Sequence, residues 1–289
     1  MSLPSRSGIK SVLAFTLLSL LIAALASGCG GASSSSSSSS TASAGTEEST
    51  TGSGPEGETL TVGSDIPYPP FEQGKPGSYT GLDVELMEAI GEKIGRPVGF
   101  QDTSFETIFV QLDQGQFDVI ASAATITPER EKTVDFSNPY YLNEQAVLVK
   151  AGSSIKSFAD LEGKIVGVQK GSTGQEYAEA KASASEVRPY PTGPDAFNSL
   201  NAGTVEAVLI DIPAAEHVAE VESGLEVSAS VPTGEQFGFV VAQGEAQLLE
   251  EINKGLKETE EDGTYAKIYE KWIHRAPPKA IFSATHTAE

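Results

Sequence analysis

Four side chains in this sequence offer complementary handles for a small charged molecule. Arg130 carries a planar guanidinium fork suited to a carboxylate. Asp211 carries a negative charge suited to an ammonium group. Tyr68 and Phe105 offer flat faces for an aliphatic or cationic stem. A helix begins near Thr173, after Gly171-Ser172, and its first free backbone N–H groups suit an anion. A carboxylate and an ammonium on one small molecule describe an amino acid. Each residue alone has a plainer reading. Arg130 lies in Pro128-Glu129-Arg130-Glu131-Lys132, which reads as a charged helix face. Asp211 reads equally as a helix cap before Pro213. Phe105 heads an apolar stripe with Ile108, Phe109 and Leu112.

What joins these residues is where the alternating elements place them. Leu60-Thr61-Val62, Pro97-Val98, Val119-Ile120-Ala121, Ala146 to Val149, Ile165 to Val168, Ala207 to Ile210 and Phe237 to Val241 read as strands. Between them, helical patterns run over Val84 to Ile94, Phe105 to Leu112, from Gln175, Pro194 to Leu200, from Pro213, Leu248 to Leu256 and Tyr265 to Trp272. Phe158 to Leu161 reads as a short helix, and Pro128 as the first turn of another, capped by Thr127. Such alternation predicts an α/β fold with mostly parallel sheets. In open α/β sheets a ligand binds beyond the carboxyl ends of the strands. Those ends carry Ser64-Asp65 to Phe71, then Ser122 to Thr125 and Arg130, then Gln169 to Thr173, and Asp211.

Motifs of several other chemistries are missing. His217, His274 and His286 are scattered without Cys or His partners at metal spacing, so no metal site is expected. There is no Gly-x-Ser-x-Gly elbow, and Gly171-Ser172-Thr173-Gly174 lacks the Gly-Lys-Ser/Thr of a phosphate loop. No Gly-x-Gly-x-x-Gly follows a strand, and no cofactor is expected.

Residues 1–28 read as a secretory signal peptide: Arg6 and Lys10 precede a mostly apolar run from Val12 to Ala26, closed by Ser27-Gly28. Cys29 follows and is the only cysteine, so no intramolecular disulfide forms. Ala26-Ser27-Gly28-Cys29 resembles the lipobox of bacterial lipoproteins, although Leu25 stands four places before the cysteine rather than three. The resemblance implies cleavage before Cys29 and a lipid (palmitate) anchor on it. Residues 29–58, with eight serines from Ser33 to Ser40, cannot bury a core and read as a disordered tether. The formal charge is −21, and loss of Arg6 and Lys10 with the signal leaves −23. Such a charge argues against nucleic acid and anionic lipid surfaces as partners.

Asp65 to Glu72, Gly81 to Ile94 and Asp118 to Arg130 resemble the family 3 extracellular solute-binding proteins, which deliver polar amino acids to ABC importers. Val134-Asp135-Phe136-Ser137, Tyr140-Tyr141, Val166-Gly167-Val168-Gln169 with Gly171-Ser172-Thr173, and Asp262-Gly263-Thr264-Tyr265 fit the same family. The resemblance runs from about Leu60 to Trp272. It implies a two-lobed, periplasmic-binding-protein-like fold of type II, with the lobes joined by two hinge strands. Lobe I would combine residues 59–141 and 237–275, and lobe II would be 146–230. The hinges would be Tyr141 to Gln145 and Val231 to Gln236, and residues 276–289 a flexible tail. Carried over by position, Arg130 would clamp the α-carboxylate with N–H help from Thr125 and Thr173. Asp211 and the carbonyl of Ala123 would take the α-ammonium. Tyr68 and Phe105 would sandwich the stem, and Asp65, Ser122 and Gln169 would meet its polar end.

The function so implied is a monomeric binding lipoprotein, exported and anchored to the outer face of the cytoplasmic membrane, at the cell surface or in the periplasm, and serving a membrane permease. The ligand leans to arginine or lysine, with glutamine as the alternative, because Asp65 can receive a guanidinium, an ammonium or a carboxamide and the aromatic walls favour a long stem with a cationic head; an acidic ligand is not expected, since Lys170 is the one candidate cationic neighbour of Asp65. Rival readings are a dehydratase-like enzyme on the same fold with Asp65 as acid or base, a sensor domain, and a surface lipoprotein with an inactive cleft.

Overall fold

β-branched and apolar runs alternate with amphipathic stretches from Leu60 onward, and each becomes a strand or a helix. A computed structural model describes residues 57–283 and 285–286. The expected leader, Cys29 and nearly all of the Ser-rich tether lie outside the described residues. In chain order the elements are β1 (Leu60–Ser64), β2 (Gln73–Lys75), β3 (Ser78–Thr80), α1 (Leu82–Ile94), β4 (Val98–Asp102), α2 (Ile108–Asp113), β5 (Val119–Ile120), β6 (Val134–Phe136), β7 (Tyr141–Lys150), β8 (Ile165–Gln169), α3 (Thr173–Lys181), β9 (Glu186–Tyr190), α4 (Gly193–Ala202), β10 (Ala207–Asp211), α5 (Ile212–Val221), β11 (Leu225–Phe237), β12 (Val240–Ala242), α6 (Ala246–Glu261) and α7 (Thr264–Ile273). No described helix is long and apolar enough to cross a membrane.

Two five-stranded sheets, each the centre of a lobe, organise these elements. The first runs β4-β1-β5-β12-β6 and the second β11-β7-β10-β8-β9. The sheets are mixed rather than mostly parallel. β1 lies parallel to β4 and β5, and β8 parallel to β9 and β10. β12 is antiparallel to β5 and β6, and β7 is antiparallel to β10 and β11. Antiparallel neighbours need no helical crossover, so the chain can pass between the sheets directly along β7 and β11. Strand alternation serves both faces of the first sheet. Val119 packs with Leu60, Val62 and the α1 residues Leu86 and Ile90, while its neighbour Ile120 packs with Phe105, Ile108 and Phe117.

β7 and β11 pair closely where they join the lobes: Tyr141 opposes Phe237, Leu142 opposes Gln236 and Asn143 opposes Glu235. The register then jumps, so that Gln145 opposes Val231. Pro232-Thr233-Gly234 on β11 therefore faces Glu144 alone, a bulge with two extra residues.

Two further expectations need correction, and one strand was not expected at all. Pro128 does not start a helix. Thr127 does accept from the Arg130 N–H at 3.2 Å, as a cap would, but only a single 3-10 turn, Arg130–Lys132, follows. The chain turns at once into β6, where Val134 and Phe136 are buried. β9 was missed because Pro189 lies inside it; an edge strand tolerates a residue that cannot donate. The C-terminal segment is not loose throughout. Ile281 is 1% exposed within the first lobe's core, and the His286 N–H donates to Asn138 Oδ1 at 2.9 Å.

Candidate functional site

The carboxyl ends of β1, β5, β8 and β10 converge between the lobes. One pocket there is lined by Asp65, Tyr68, Phe105, Ser122, Ala123, Thr125, Arg130, Gln169, Thr173 and Asp211, with Ser172 as its remaining wall. All ten residues named from the sequence thus meet in one place. The cavity measures about 20 Å³, roughly the room of one water molecule. The lobes are therefore closed on each other, and an incoming solute must exchange contacts that now run across the cleft.

Those contacts are specific. Gln169 Nε2 at the end of β8 donates to Asp65 Oδ2 at 2.5 Å, and both residues are 5% exposed. The Tyr68 hydroxyl donates to Asp211 Oδ2, also at 2.5 Å. Thr125 and Thr173 place their hydroxyl oxygens 3.4 Å apart. At the rim Lys170 pairs with Glu106 at 2.7 Å, so the lysine considered as a neighbour of Asp65 is engaged elsewhere. Both rim partners are nearly half-exposed, and such a pair contributes little.

Arg130 is held without a carboxylate partner among the described residues. Its Nη1 donates to the Thr125 carbonyl at 2.7 Å and its Nη2 to the Gly171 carbonyl at 3.2 Å. The guanidinium carbon lies 4.7 Å from the centre of the Phe109 ring and 5.4 Å from that of Phe105. Burial pushes the guanidinium down to about 10, against the pull of Glu176, Glu235 and Asp211. A part-buried, desolvated cation held by carbonyls and rings strongly favours an incoming anion. Gly171 reaches this position in a left-handed conformation, φ +77°, that a side chain would strain.

The acids show the opposite perturbation. Burial pushes Asp65 up to about 7, aided by Asp102 and opposed by the Gln169 amide and a backbone bond at Phe105. Burial, then the neighbouring Glu235, pushes Asp211 up to about 7 against hydrogen bonds from Tyr68, Asn143 and Gln145. A cation arriving at either acid restores its charge.

Below the site lies a second layer that sequence reasoning did not identify. Ser122 Oγ accepts from the Asp65 N–H at 3.0 Å and donates to Glu72 Oε1 at 2.8 Å. Asp83 Oδ2 accepts from the Ala123 N–H at 2.8 Å and from the Tyr140 hydroxyl at 2.6 Å. Glu72 and Asp83 are both 0% exposed. Burial and the Asp83 charge hold the Glu72 carboxyl well above the usual range; burial pushes Asp83 up to about 7. Asp83 pins Ala123 in a left-handed conformation, φ +46°, which costs an L-residue about 1–2 kcal/mol. Strain of this kind is kept where the surroundings enforce it, and it sets the direction of the backbone beside Ser122. The one signal in the sequence was Asp83 itself, an acid between the apolar residues Leu82 and Val84.

Asn143, Gln145 and Glu235 were missed as well. Asn143 Nδ2 and Gln145 Nε2 each donate to Asp211 Oδ1, at 2.6 and 2.7 Å. Both amide nitrogens also donate to Glu235 Oε2 at 2.8 Å. Gly174 lets helix α3 approach this cluster: a Cβ there would lie 2.9 Å from Gln145 Oε1 and 3.2 Å from the Leu209 carbonyl.

The profile of the bacterial extracellular solute-binding proteins, family 3, matches residues 60–275. The L-cystine-binding protein TcyJ of Escherichia coli (strain K12) is 32% identical over 219 residues, which cover 74% of this chain and 82% of that protein. The arginine-binding extracellular protein ArtP of Bacillus subtilis (strain 168) is 32% identical over 231 residues, covering 78% and 90%. A solved structure of an ancestral arginine-binding protein bound to glutamine is 40% identical. It superimposes with a TM-score of 0.72 over 75% of this chain and 98% of that one.

Proposed function

The chain belongs to the bacterial extracellular solute-binding proteins, family 3, and from that premise we propose that it is the binding lipoprotein of an amino acid ABC importer, capturing a polar amino acid with a cationic side chain. It is a binding protein and not an enzyme, as its relatives are. One observation carries the ligand reading: a single cavity is walled by two acids, Asp65 and Asp211, and by the guanidinium of Arg130, which has no carboxylate partner among the described residues. Arg130 meets the α-carboxylate, with the first turn of α3 at Thr173 and the backbone of Thr125 beside it. Asp211 and the Ala123 carbonyl meet the α-ammonium. Tyr68 and Phe105 flank the stem, and Asp65, Ser122 and Gln169 meet its far end. With Lys170 held by Glu106, that end offers a carboxylate and an amide but no cation. Arginine and lysine fit this set, whereas an acidic side chain does not.

Glutamine is the second reading. It is favoured by the proton that Asp65 retains near neutrality, since a protonated carboxyl pairs with a carboxamide. In either case the working protein is an exported monomer that is held to the outer face of the cytoplasmic membrane through Cys29 and hands its solute to a permease. The test is a thermal-shift screen against the twenty amino acids, ornithine, citrulline and cystine, on protein unfolded and refolded to strip carried-over ligand. Melting temperature rises with the logarithm of ligand concentration over Kd, so arginine and lysine should give the largest shifts. No shift with any amino acid would overturn the reading, and a largest shift with cystine or glutamate would overturn the cationic preference.

A further inference from the structure

The acid assigned to the ammonium is not alone. Asp211 ends β10, and Glu235 lies on β11 immediately after the bulge at Pro232-Thr233-Gly234. Between them stand the amides of Asn143 and Gln145 from β7. Each nitrogen has two protons and spends one on Asp211 Oδ1 and one on Glu235 Oε2. Both amide oxygens are buried and meet no donor among the described residues. The two amides are thus committed entirely, through their N–H groups, to holding two carboxylates together. Holding two part-buried like charges side by side opposes folding, and perturbed acids of this kind cluster at binding sites.

Resting on the amino acid reading above, we infer that Glu235 is a positioning residue for the ammonium seat, fixing Asp211 through Asn143 and Gln145 and adding its charge to the field that the ammonium enters. The placement on β11 matters. Glu235 pairs with Asn143 at the point where β7 and β11 join the two lobes, so the seat and the hinge share one hydrogen-bonded cluster. A shift of β11 at the hinge alters the grip on Asp211, and an ammonium at Asp211 stiffens that pairing.

The charge of Glu235 also gives binding a sign with pH. Asp211 is faced by the Tyr68 hydroxyl across the cleft, by the two β7 amides and by Glu235, with Arg130 and Glu72 as more distant charges. Burial first, then Glu235, pushes Asp211 up to about 7. Below that pH a proton occupies the seat and competes with the ammonium. Above it, two carboxylates face the ligand. Neutralising Glu235 removes one of those carboxylates and the smaller share of the upward push on Asp211, leaving that of burial, so its consequence reverses across the pH range.

Arginine and its deaminated analogue, 5-guanidinopentanoate, are titrated calorimetrically against the wild-type protein, Glu235→Gln and Glu235→Asp from pH 5.5 to 8.5. Wild-type affinity for arginine should fall as pH drops through 7, approaching tenfold per unit at the limit of full linkage. Glu235→Gln keeps an acceptor for the two amides but not the charge. It should bind arginine about threefold or more weakly at pH 8.5, and its affinity should fall less steeply than that of the wild type as pH drops, because Asp65 and the burial of Asp211 still couple binding to protons, so that the two curves converge or cross at about pH 6. Glu235→Asp should restore the wild-type slope. The analogue, which places no ammonium at Asp211, should show no such difference between wild type and Glu235→Gln. Equal arginine affinities and equal pH profiles for wild type and Glu235→Gln would overturn the inference while leaving the amino acid reading intact. Parallel profiles displaced by a constant factor would reduce Glu235 to a structural part and overturn it too. A wild-type protein that binds neither arginine, lysine nor glutamine would overturn the functional reading on which it rests.

Discussion

The hydroxyl of Tyr68 donates to Asp211 Oδ2 across the cleft at 2.5 Å, tying the aromatic wall of one lobe to the acid of the other. A hydrogen bond to a charged group contributes about 1.5–3 kcal/mol. Tyr68→Phe keeps the ring and removes the bond. Arginine affinity should fall by about tenfold, read by calorimetry at pH 8, where Asp211 is ionised. Unchanged affinity would mean that the bond is incidental to closure.

Arg130→Ala should separate binding from stability. The part-buried side chain holds two carbonyls and two rings but no carboxylate, so its removal should change the melting temperature of the protein measured without added amino acid far less than it changes affinity. Affinity for arginine or glutamine should drop by about 2–5 kcal/mol, because the ligand carboxylate is left buried and unpaired. Arg130→Lys keeps the charge but loses the two-pronged geometry and should recover only part of the loss. Near-normal affinity in Arg130→Ala would remove Arg130 from the site.

Asp65→Asn should change preference more than overall binding. The amide oxygen still accepts from Gln169, but the negative charge at the far end of the pocket is gone. The ratio of arginine to glutamine affinity should fall by about tenfold or more in competition binding at pH 8. An unchanged ratio would place the cationic group of the ligand elsewhere.

The acids beneath the site set the direction of stability with pH. Asp65, Asp83 and Asp211 are each raised from an ordinary 3.8 to about 7, and burial with the Asp83 charge holds Glu72 well above the usual carboxylate range. Between those values the folded chain holds more protons than the unfolded one, so stability from these groups is present near pH 4 and is lost as pH rises towards 7. Melting temperature without added amino acid should therefore be higher at pH 5.5 than at pH 8. Glu72→Gln, which keeps an acceptor for Ser122, should raise the pH 8 value and flatten the slope. A wild-type melting temperature that climbs steadily from pH 5.5 to 8 would contradict the raised acids.

Much of this was legible in the sequence, for physical reasons. Short apolar runs located β1, β8 and β10, and the rule that ligands sit beyond strand ends led from them to Asp65, Gln169, Thr173 and Asp211. The same rule reached Ser122, Ala123 and Thr125, but they have no distinctive chemistry of their own, and only the resemblance gave them roles. What stayed hidden depends on pairing between distant segments. Asn143, Gln145 and Glu235 look like ordinary polar residues until β7 meets β11, and no local pattern announces a buried carboxylate such as Glu72. Pro189 and Pro232 masked β9 and the reach of β11, since proline reads as a strand breaker unless the strand is known to be an edge or to bulge. The 3-10 turn at Arg130 reflects a tertiary demand, the immediate turn into β6, that overrides a good capping sequence.

The order of strands also constrains how the chain assembles as it is made. The second sheet draws every strand from one continuous stretch, 141–237, and has all its partners once that stretch is available. The first sheet must wait: β5 at Val119–Ile120 pairs with Val240 and Val241, about 120 residues later. Until β12 arrives, β5 has one edge bare and α1 lacks α6. The lobe that starts first is thus completed last, and the half-built sheet is the stretch of nascent chain most in need of shielding from its neighbours.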